Sequence, residues 1–214
     1  GTYAAIACQF PNRLFHRLGA TEVDPGTICD KAGHVALSAM YGTSFVGFDP
    51  RTAQDAHAVF VWGANPSHSG PITDRYWLGE FKGVTVVVDP LKTDTARRAD
   101  LHLQLRPGTD VALVYGMLAV MLREHLLDTA FLARHVRGWS AVAAEIAALA
   151  PARAASITGV PLTLIEQAAR LYAGGPSLLW MGIGLQRQRH GGDVVRAVAL
   201  LPPATGNLGR AGTG

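Results

Sequence analysis

The sequence has little of what marks several large classes of protein. Its 214 residues include only two cysteines, Cys8 and Cys29, too few for a disulfide framework and too isolated for a zinc or iron–sulfur site by spacing. The net charge of +3 is small, and the basic residues are scattered among acidic ones. This distribution lacks the basic patch typical of nucleic-acid-binding proteins, so we expect no nucleic acid among the partners.

Long apolar runs are also absent. No stretch of about 18 uninterrupted apolar residues occurs, and the N-terminal residues lack a charged region followed by an apolar one. We therefore predict neither a membrane span nor a signal peptide in these residues, and the compartment stays open. Because the chain begins at Gly1 and ends in a glycine-rich turn over 209–214, we expect it to be a fragment of a longer protein.

The usual phosphate-binding motifs of nucleotide-binding proteins are missing as well. No Gly-x-Gly-x-x-Gly lies between a first strand and its helix, and no Walker lysine motif occurs. Ordinary dinucleotide or triphosphate binding therefore lacks its usual phosphate cradle, and we expect another ligand. What is present is a hydrophobic content of 49%, which suits one substantial globular core.

Apolar runs and helical periods alternate along the chain, which predicts an α/β fold with a mostly parallel, Rossmann-like sheet flanked by helices. The predicted strands are Ala58–Trp62, Val84–Val88, Leu101–Leu105 and Ser177–Met181. Flanking helices are predicted over 72–81, from Asp110 onward, and over 193–201, where Pro202 and Pro203 stop the last one. Further helices over 128–136, 141–149 and 161–172 predict a helical insertion.

Polar residues follow the predicted strands. Asp89 comes directly after one strand, and Asp110 closes a Pro-Gly turn after the next. Because the carboxyl ends of parallel strands share one edge, where open α/β sheets bind nucleotides, we expect both acids to face one crevice. The Asp89 carboxylate can accept ribose hydroxyls, and that of Asp110 can accept the adjacent N–H donors of guanine; either can instead cap a helix. The loop from Gly63 to Pro66 suits close ligand approach or a plain turn.

Five segments in this order resemble the molybdopterin oxidoreductases of the dimethyl sulfoxide reductase and formate dehydrogenase superfamily. They are Arg13–Ala20, Thr27–Gly33, Val61–Pro66, Val88–Asp110 and Thr205–Gly212. Any one of them is weak evidence, but the ordered set spans nearly the whole chain. The resemblance implies that the chain is the central portion of a catalytic subunit.

The resemblance also implies a bis-molybdopterin guanine dinucleotide cofactor that holds molybdenum or tungsten. The residues that it implies near the guanosine diphosphate or on the approach to the metal are Gly63, Asn65, Pro66, Asp89, Pro90, Thr93, Pro107, Gly108, Asp110, Gly182, Gly184 and Gln186. Residues 1–57 are expected to carry the metal-ligand segment, and 58–214 the cofactor-binding domain. The polar and basic run over 186–190 suits a pyrophosphate or pterin, and equally a solvated loop.

Cys29 lies where the family presents a protein ligand to the metal, and a thiolate suits a soft metal. The alternative ligand is Asp30, which can also cap a helix, and the alternative for Cys29 is a buried structural thiol. His34, about a turn and a half of helix beyond Cys29, is a candidate to face substrate or shuttle protons, with a packed or surface position as its alternative. Cys8 matches no motif and is expected in the core.

For the parent protein, the resemblance implies two-electron oxo or hydride transfer on a small substrate. Electrons would leave through an iron–sulfur cluster in a preceding region to an electron-transfer subunit. Asp30-Lys31 follows Cys29 in place of the histidine typical of formate dehydrogenases, which argues against formate. We expect these residues alone to be inactive. The alternatives are a cofactor-free scaffold in an electron-transfer complex and a generic nucleotide-binding domain, although the latter lacks the Cys29 segment.

Overall fold

The computed structural model describes residues 10–21 and 29–214. One parallel sheet has the strand order β3-β2-β1-β4, with β1 Ala58–Trp62, β2 Val84–Val88, β3 Leu101–Leu103 and β4 Ser177–Met181. Apolar runs of this kind are typical of parallel strands covered on both faces. The predicted α/β class and parallel sheet are confirmed. Three strands have the predicted bounds; the third ends early because the Leu105 N–H turns back to the Leu103 carbonyl, at 3.1 Å.

Helices cover the sheet and form the insertion. They are α1 Asn12–Arg17, α2 Lys31–Tyr41, α3 Pro66–Ser69, α4 Pro71–Tyr76, α5 Asp94–Arg98, α6 Asp110–Arg123, α7 Thr129–His135, α8 Trp139–Ala148, α9 Pro151–Thr158, α10 Leu162–Ala173, α11 Gly191–Val198 and α12 Leu201–Ala204. The three helices predicted for the insertion correspond to α7, α8 and α10, and α9, which was not predicted, lies between α8 and α10. Among the described residues no single helix could cross a membrane; α8 and α9 pass by length and composition only as a pair, which bends by 74°.

Prolines account for the main differences between predicted and observed helices. The helix predicted over 72–81 begins one residue earlier, at Pro71, and ends in a separate 3-10 turn over 78–80. Pro151, expected only as a break, begins α9. The prediction that Pro202 and Pro203 stop a helix is wrong, because α11 ends at Val198 and both prolines lie in the first turn of α12. Proline costs no helical hydrogen bond in a first turn.

Both faces of β1 pack in the core, and its neighbours are in register with it. Successive residues of β1 face opposite sides of the sheet. Phe60 and Trp62 pack among residues of α6 and α10, where Phe60 meets Tyr172 edge to face with ring centroids 5.0 Å apart. Val59 and Val61 belong to a smaller cluster on the other face. Because Trp62 pairs with Val88 and with Met181, β1, β2 and β4 end level with one another.

Candidate functional site

The loops after β1 and β4 meet at the carboxyl edge of the sheet. The strand order reverses at this point, since β2 lies on one side of β1 and β4 on the other, and open α/β sheets bind ligands at such positions. Gly63 has φ +62°, and its carbonyl accepts the Gly184 N–H at 3.2 Å. A Cβ on Gly182 would lie 2.2 Å from that carbonyl oxygen. Glycine at these positions therefore allows the two loops to pack backbone to backbone.

A cavity of about 220 Å³ opens beside these loops. Its lining residues are Gly63, Val88, Asp89, Pro90, Leu105, Pro107, Gly108, Asp110, Gly184, Leu185 and Gln188. Sites for whole small molecules usually measure roughly 300–1,000 Å³, so this cavity suits one part of a larger ligand, such as a base. We call it the strand-end cavity; it brings together seven of the residues predicted to bind a cofactor.

Asp110 is the first of two acids that line the strand-end cavity. It is the first residue of α6 and is buried. Its Oδ1 accepts the indole N–H of Trp62 at 2.8 Å, and its Oδ2 accepts an amide N–H of Gln188 at 3.1 Å. Thr109, not Asp110, holds the N-cap position. The carboxylate thus faces the sheet and the loop after β4, close to the positive end of the α6 dipole.

Asp89 is the second acid of the strand-end cavity. It is half-buried, and its Oδ1 accepts the Leu91 N–H at 2.8 Å. Burial raises the pKa of the Asp89 carboxyl and the nearby Asp110 charge adds to that shift, while the Leu91 N–H and His102 oppose it. Two carboxylates on one small cavity favour a ligand that presents hydrogen-bond donors.

The turn before Asp110 is tied to the helical insertion. Gly108 has φ +79°, a conformation open to glycine, and follows Pro107. The Thr109 hydroxyl donates to the Arg106 carbonyl at 2.6 Å. The Arg106 guanidinium donates to the carbonyls of Ser156 and Ile157, in the last turn of α9, at 2.8 and 3.1 Å. The insertion therefore supports one wall of the strand-end cavity.

Three of the predicted cofactor residues hold local structure and do not line the strand-end cavity. Asn65 Oδ1 accepts the hydroxyls of Ser67 and Thr95 at 2.6 and 3.0 Å. Pro66 is buried at the start of α3. The Thr93 hydroxyl oxygen accepts the Ala96 N–H at 3.1 Å and caps α5.

The predicted metal-ligand segment docks on the other side of the loop after β4. Cys29 is exposed just before α2, and its Sγ accepts an N–H of Arg187 at 3.5 Å. The Gly33 N–H donates to Gln186 Oε1 at 2.7 Å. Thus the start of α2 is held against residues 186–187. The adjoining predicted residues 27–28, and Cys8, lie outside the described residues.

Asp30 and His34 face a second cavity, of about 340 Å³, which also includes Gly182 and Gln186 in its lining. Asp30 holds the N-cap position of α2, but its carboxylate contacts His34 Nε2 at 3.2 Å and does not cap the helix. Cys29, Asp30 and His34 therefore lie on one short segment. In residues 10–21 and 29–214, no three His, Cys, Asp or Glu side chains converge as a metal-ligand set.

Sequence reasoning missed the two side chains that donate to Asp110, Trp62 and Gln188. Trp62 reads as a core residue of a strand, and nothing local signals that its indole N–H meets an acid 48 positions away. For Gln188, the signal in the sequence was its position in the polar run over 186–190. Gln186 and Gln188 point to different cavities on either side of the 3-10 turn Ile183–Leu185.

Comparison with known proteins finds relatives over nearly the whole chain. Residues 5–214 match the family model described as molybdopterin oxidoreductase. The chain is 30% identical to the F420-dependent formate dehydrogenase 1 subunit alpha of Methanococcus maripaludis over all of its own length and 33% of that protein. It is 38% identical to formate dehydrogenase H of Escherichia coli over 71% of the chain and 22% of that protein.

Among solved structures, the acetylene hydratase of Pelobacter acetylenicus has the same fold. The TM-score is 0.76 at 22% identity, over 92% of this chain and 27% of that one. The chain thus spans about a third or less of the length of these relatives. Because the family model covers nearly every residue, the chain belongs to the molybdopterin oxidoreductase family.

Proposed function

We propose that this chain is the central part of the catalytic subunit of a molybdenum or tungsten enzyme with a bis-molybdopterin guanine dinucleotide cofactor. In this proposal residues 58–214 hold one guanosine arm of the cofactor, and residues 1–57 carry the segment that faces the metal. The parent enzyme would carry out two-electron oxo or hydride transfer on a small substrate. The observation that carries the proposal is the strand-end cavity with its two acids, Asp89 and Asp110.

The donor and acceptor chemistry of the strand-end cavity fits a guanosine. A guanine edge presents adjacent N–H donors, which a carboxylate such as Asp110 can accept with both oxygens. A ribose presents two hydroxyls, for which Asp89 offers an acceptor. Gly63, Gly108 and Gly184 line the cavity without side chains, so a ligand can lie against the backbone there.

The residues proposed for the cofactor have distinct roles. Asp110 orients the base, while Asp89 and Pro90 bound the cavity beside it. Pro107 and Gly108 shape the opposite wall. Asn65, Pro66 and Thr93 act indirectly, because their own contacts hold α3 and α5 in place behind the β1 loop. Gly182 and Gln186 line the second cavity with Asp30 and His34, which in this proposal is the side toward the metal.

On the metal side we propose Cys29 as the protein ligand, with Asp30 as the alternative. When bound, the metal and its pterins supply the two-electron chemistry. Cys29 is exposed and so is accessible to a ligand lying over the loop after β4. We propose that His34, which is 48% exposed and contacts the Asp30 carboxylate through Nε2, faces substrate or shuttles protons on this side.

The parent enzyme would also need an electron acceptor. The two formate dehydrogenase relatives include one named as a subunit alpha, which supports a multi-subunit assembly with an electron-transfer partner. An iron–sulfur cluster in a preceding region would connect the two. Asp30-Lys31 follows Cys29 in place of the histidine that follows the cysteine in formate dehydrogenases, which supports a substrate other than formate.

The test is metal and nucleotide analysis of the full-length parent, purified beside a Cys29→Ser variant and an Asp30→Asn variant. We expect the parent to contain molybdenum or tungsten and to release guanine nucleotide on acid treatment. The Cys29→Ser variant should keep the nucleotide and change the electron paramagnetic resonance spectrum of the metal, whereas Asp30→Asn should leave that spectrum unchanged.

Other outcomes would redirect the proposal. A spectrum altered only by Asp30→Asn would make Asp30 the ligand. A parent without metal or pterin, after expression with a working cofactor pathway, would favour the cofactor-free scaffold.

A further inference from the structure

Gln188 holds a position on Asp110 that a ligand of the strand-end cavity would need. Its Nε2 donates to Asp110 Oδ2 at 3.1 Å and to the Leu185 carbonyl at 3.2 Å, and the residue lines the cavity. We propose that Gln188 is a place-holder for the guanine base, donating to Asp110 in the cofactor-free protein and giving up that oxygen when the base binds. This inference rests on the guanosine site proposed above.

The first argument is that Asp110 needs two donors. It is only 7% exposed, and a buried carboxylate without hydrogen bonds is strongly destabilising. Trp62 satisfies Oδ1 from within β1, where it is fully buried and cannot move without disrupting the sheet. The second oxygen, Oδ2, accepts its described hydrogen bond from Gln188. Without a bound base, the Gln188 amide therefore stabilises the fold by donating to Oδ2.

The second argument is that Gln188 is free to leave. It is half-buried on the loop between β4 and α11, and both of its described side-chain hydrogen bonds use the same nitrogen. Rotation about its side-chain torsions removes the amide from Oδ2 without moving the backbone. Trp62 can remain bonded throughout, because a carboxylate oxygen has a second lone pair for a ligand N–H.

The third argument concerns selectivity. A base that replaces Gln188 must itself donate to Oδ2, or the buried carboxylate loses a hydrogen bond. Guanine carries adjacent N–H groups that can do so, whereas adenine presents one amino group beside an acceptor nitrogen. Ligands that leave buried polar groups unpaired are rejected strongly. Gln188 thus lowers the affinity for every base, and only a base with paired donors recovers the loss.

The experiment uses the protein purified from a host that cannot synthesise the pterin cofactor. Guanosine diphosphate and adenosine diphosphate are titrated calorimetrically into the wild type, Gln188→Ala, Gln188→Met and the control Gln167→Ala, whose residue is exposed on α10. The Met variant keeps the length of the side chain but has no donor. We expect both Gln188 variants to bind guanosine diphosphate about tenfold more tightly, roughly the effect of one hydrogen bond to a charged group, and the control to match the wild type.

A second readout separates place-holding from simple loss of bulk. Without nucleotide, both Gln188 variants should unfold at lower temperature than the wild type, because Asp110 Oδ2 is left without its donor. With saturating guanosine diphosphate the difference should vanish, because the base then supplies the donor to Oδ2 in the wild type and in both variants. A gain in affinity for the Ala variant alone would mean that bulk, not hydrogen bonding, limits access and would overturn the inference.

The guanosine site and the place-holder fail in different ways. If neither the wild type nor the Gln188 variants prefer guanosine diphosphate over adenosine diphosphate, the guanosine site itself is wrong. If the wild type shows that preference and both Gln188 variants bind equally or more weakly, the guanosine site stands and the place-holder is wrong.

Discussion

The two sides of the loop after β4 differ in the burial and hydrogen bonding of their candidate functional side chains. On the side of the strand-end cavity, Asp110 is buried and its carboxylate oxygens accept hydrogen bonds from Trp62 and Gln188. On the side of Cys29, the thiol is exposed and its Sγ accepts an N–H of Arg187 at 3.5 Å. The difference indicates that the sheet and the loop after β4 fix the acid of the strand-end cavity, whereas the Cys29 thiol lies open at the surface.

The largest effect is expected where the loops after β1 and β4 pack backbone to backbone. In Gly182→Ala the new Cβ would fall 2.2 Å from the Gly63 carbonyl oxygen, and no side-chain rotation relieves a clash with backbone. We expect a loss of at least about 3 kcal/mol in the free energy of unfolding. Gly192→Ala is the matched control, since its nearest atom lies at 3.7 Å, and it should be neutral or stabilising in chemical denaturation. Equal effects of the two substitutions would contradict the close packing of the loops.

The next effect removes the acid from the strand-end cavity. Asp110→Ala leaves the buried indole N–H of Trp62 without its acceptor, so we expect a loss of about 3 kcal/mol in the free energy of unfolding. Asp193→Ala is the control, because this acid also lies in the first turn of a helix but is exposed. Its loss should stay below about 1 kcal/mol. A similar loss for both would show that the Trp62 contact adds little.

A smaller effect is expected from the Asp89 carboxylate, whose negative charge is unfavourable in the folded protein. Because the pKa of Asp89 is raised in the folded protein, chiefly by burial, the folded state binds more protons there than the unfolded state. The free energy of unfolding should therefore fall as pH rises from 3.8 through the raised pKa. Asp89→Asn removes this charge and should be more stable than the wild type above that range, with the difference vanishing at lower pH.

Urea denaturation curves between pH 3 and pH 8 measure the difference between Asp89→Asn and the wild type. A difference independent of pH would show that the Asp89 charge is not the cause. The same variant should bind guanosine diphosphate more weakly, so that stability and binding change in opposite directions.

The smallest effect belongs to the start of α2, which carries Asp30 and His34. His34 and Asp30 form a contact between side chains that are 48% and 38% exposed, and exposed pairs contribute little. His34→Ala should therefore change the free energy of unfolding by less than about 0.5 kcal/mol in chemical denaturation. A loss in the free energy of unfolding comparable to that of Asp110→Ala would mean that the His34–Asp30 contact stabilises the fold as much as the Asp110 contacts do.

Sequence reasoning succeeded where the physical cause is local. The runs 58–62 and 84–88 are apolar and largely β-branched, so their strands were predicted with the observed bounds. The helix from Asp110 follows from its apolar period. The family could also be predicted, because its ordered segments are themselves sequence features.

It failed where the cause is a contact between distant residues. Asp110 was predicted as an acid open to a ligand, but nothing near it in sequence indicates that Trp62 and Gln188 accompany it, from 48 and 78 positions away. Asn65 was predicted at the ligand, and its bonds to Thr95 depend on how α5 packs. Roles of this kind require the tertiary structure.

The link between Arg106 and α9 has a consequence for how changes in one part of the chain reach another. The guanidinium closes the end of α9 through the carbonyls of Ser156 and Ile157, and the same residue accepts the Thr109 hydroxyl one step before Asp110. Movement of the turn and movement of the helix are therefore coupled. Variation within the insertion, far along the chain from either acid, can therefore shift one wall of the strand-end cavity without altering any residue that lines it.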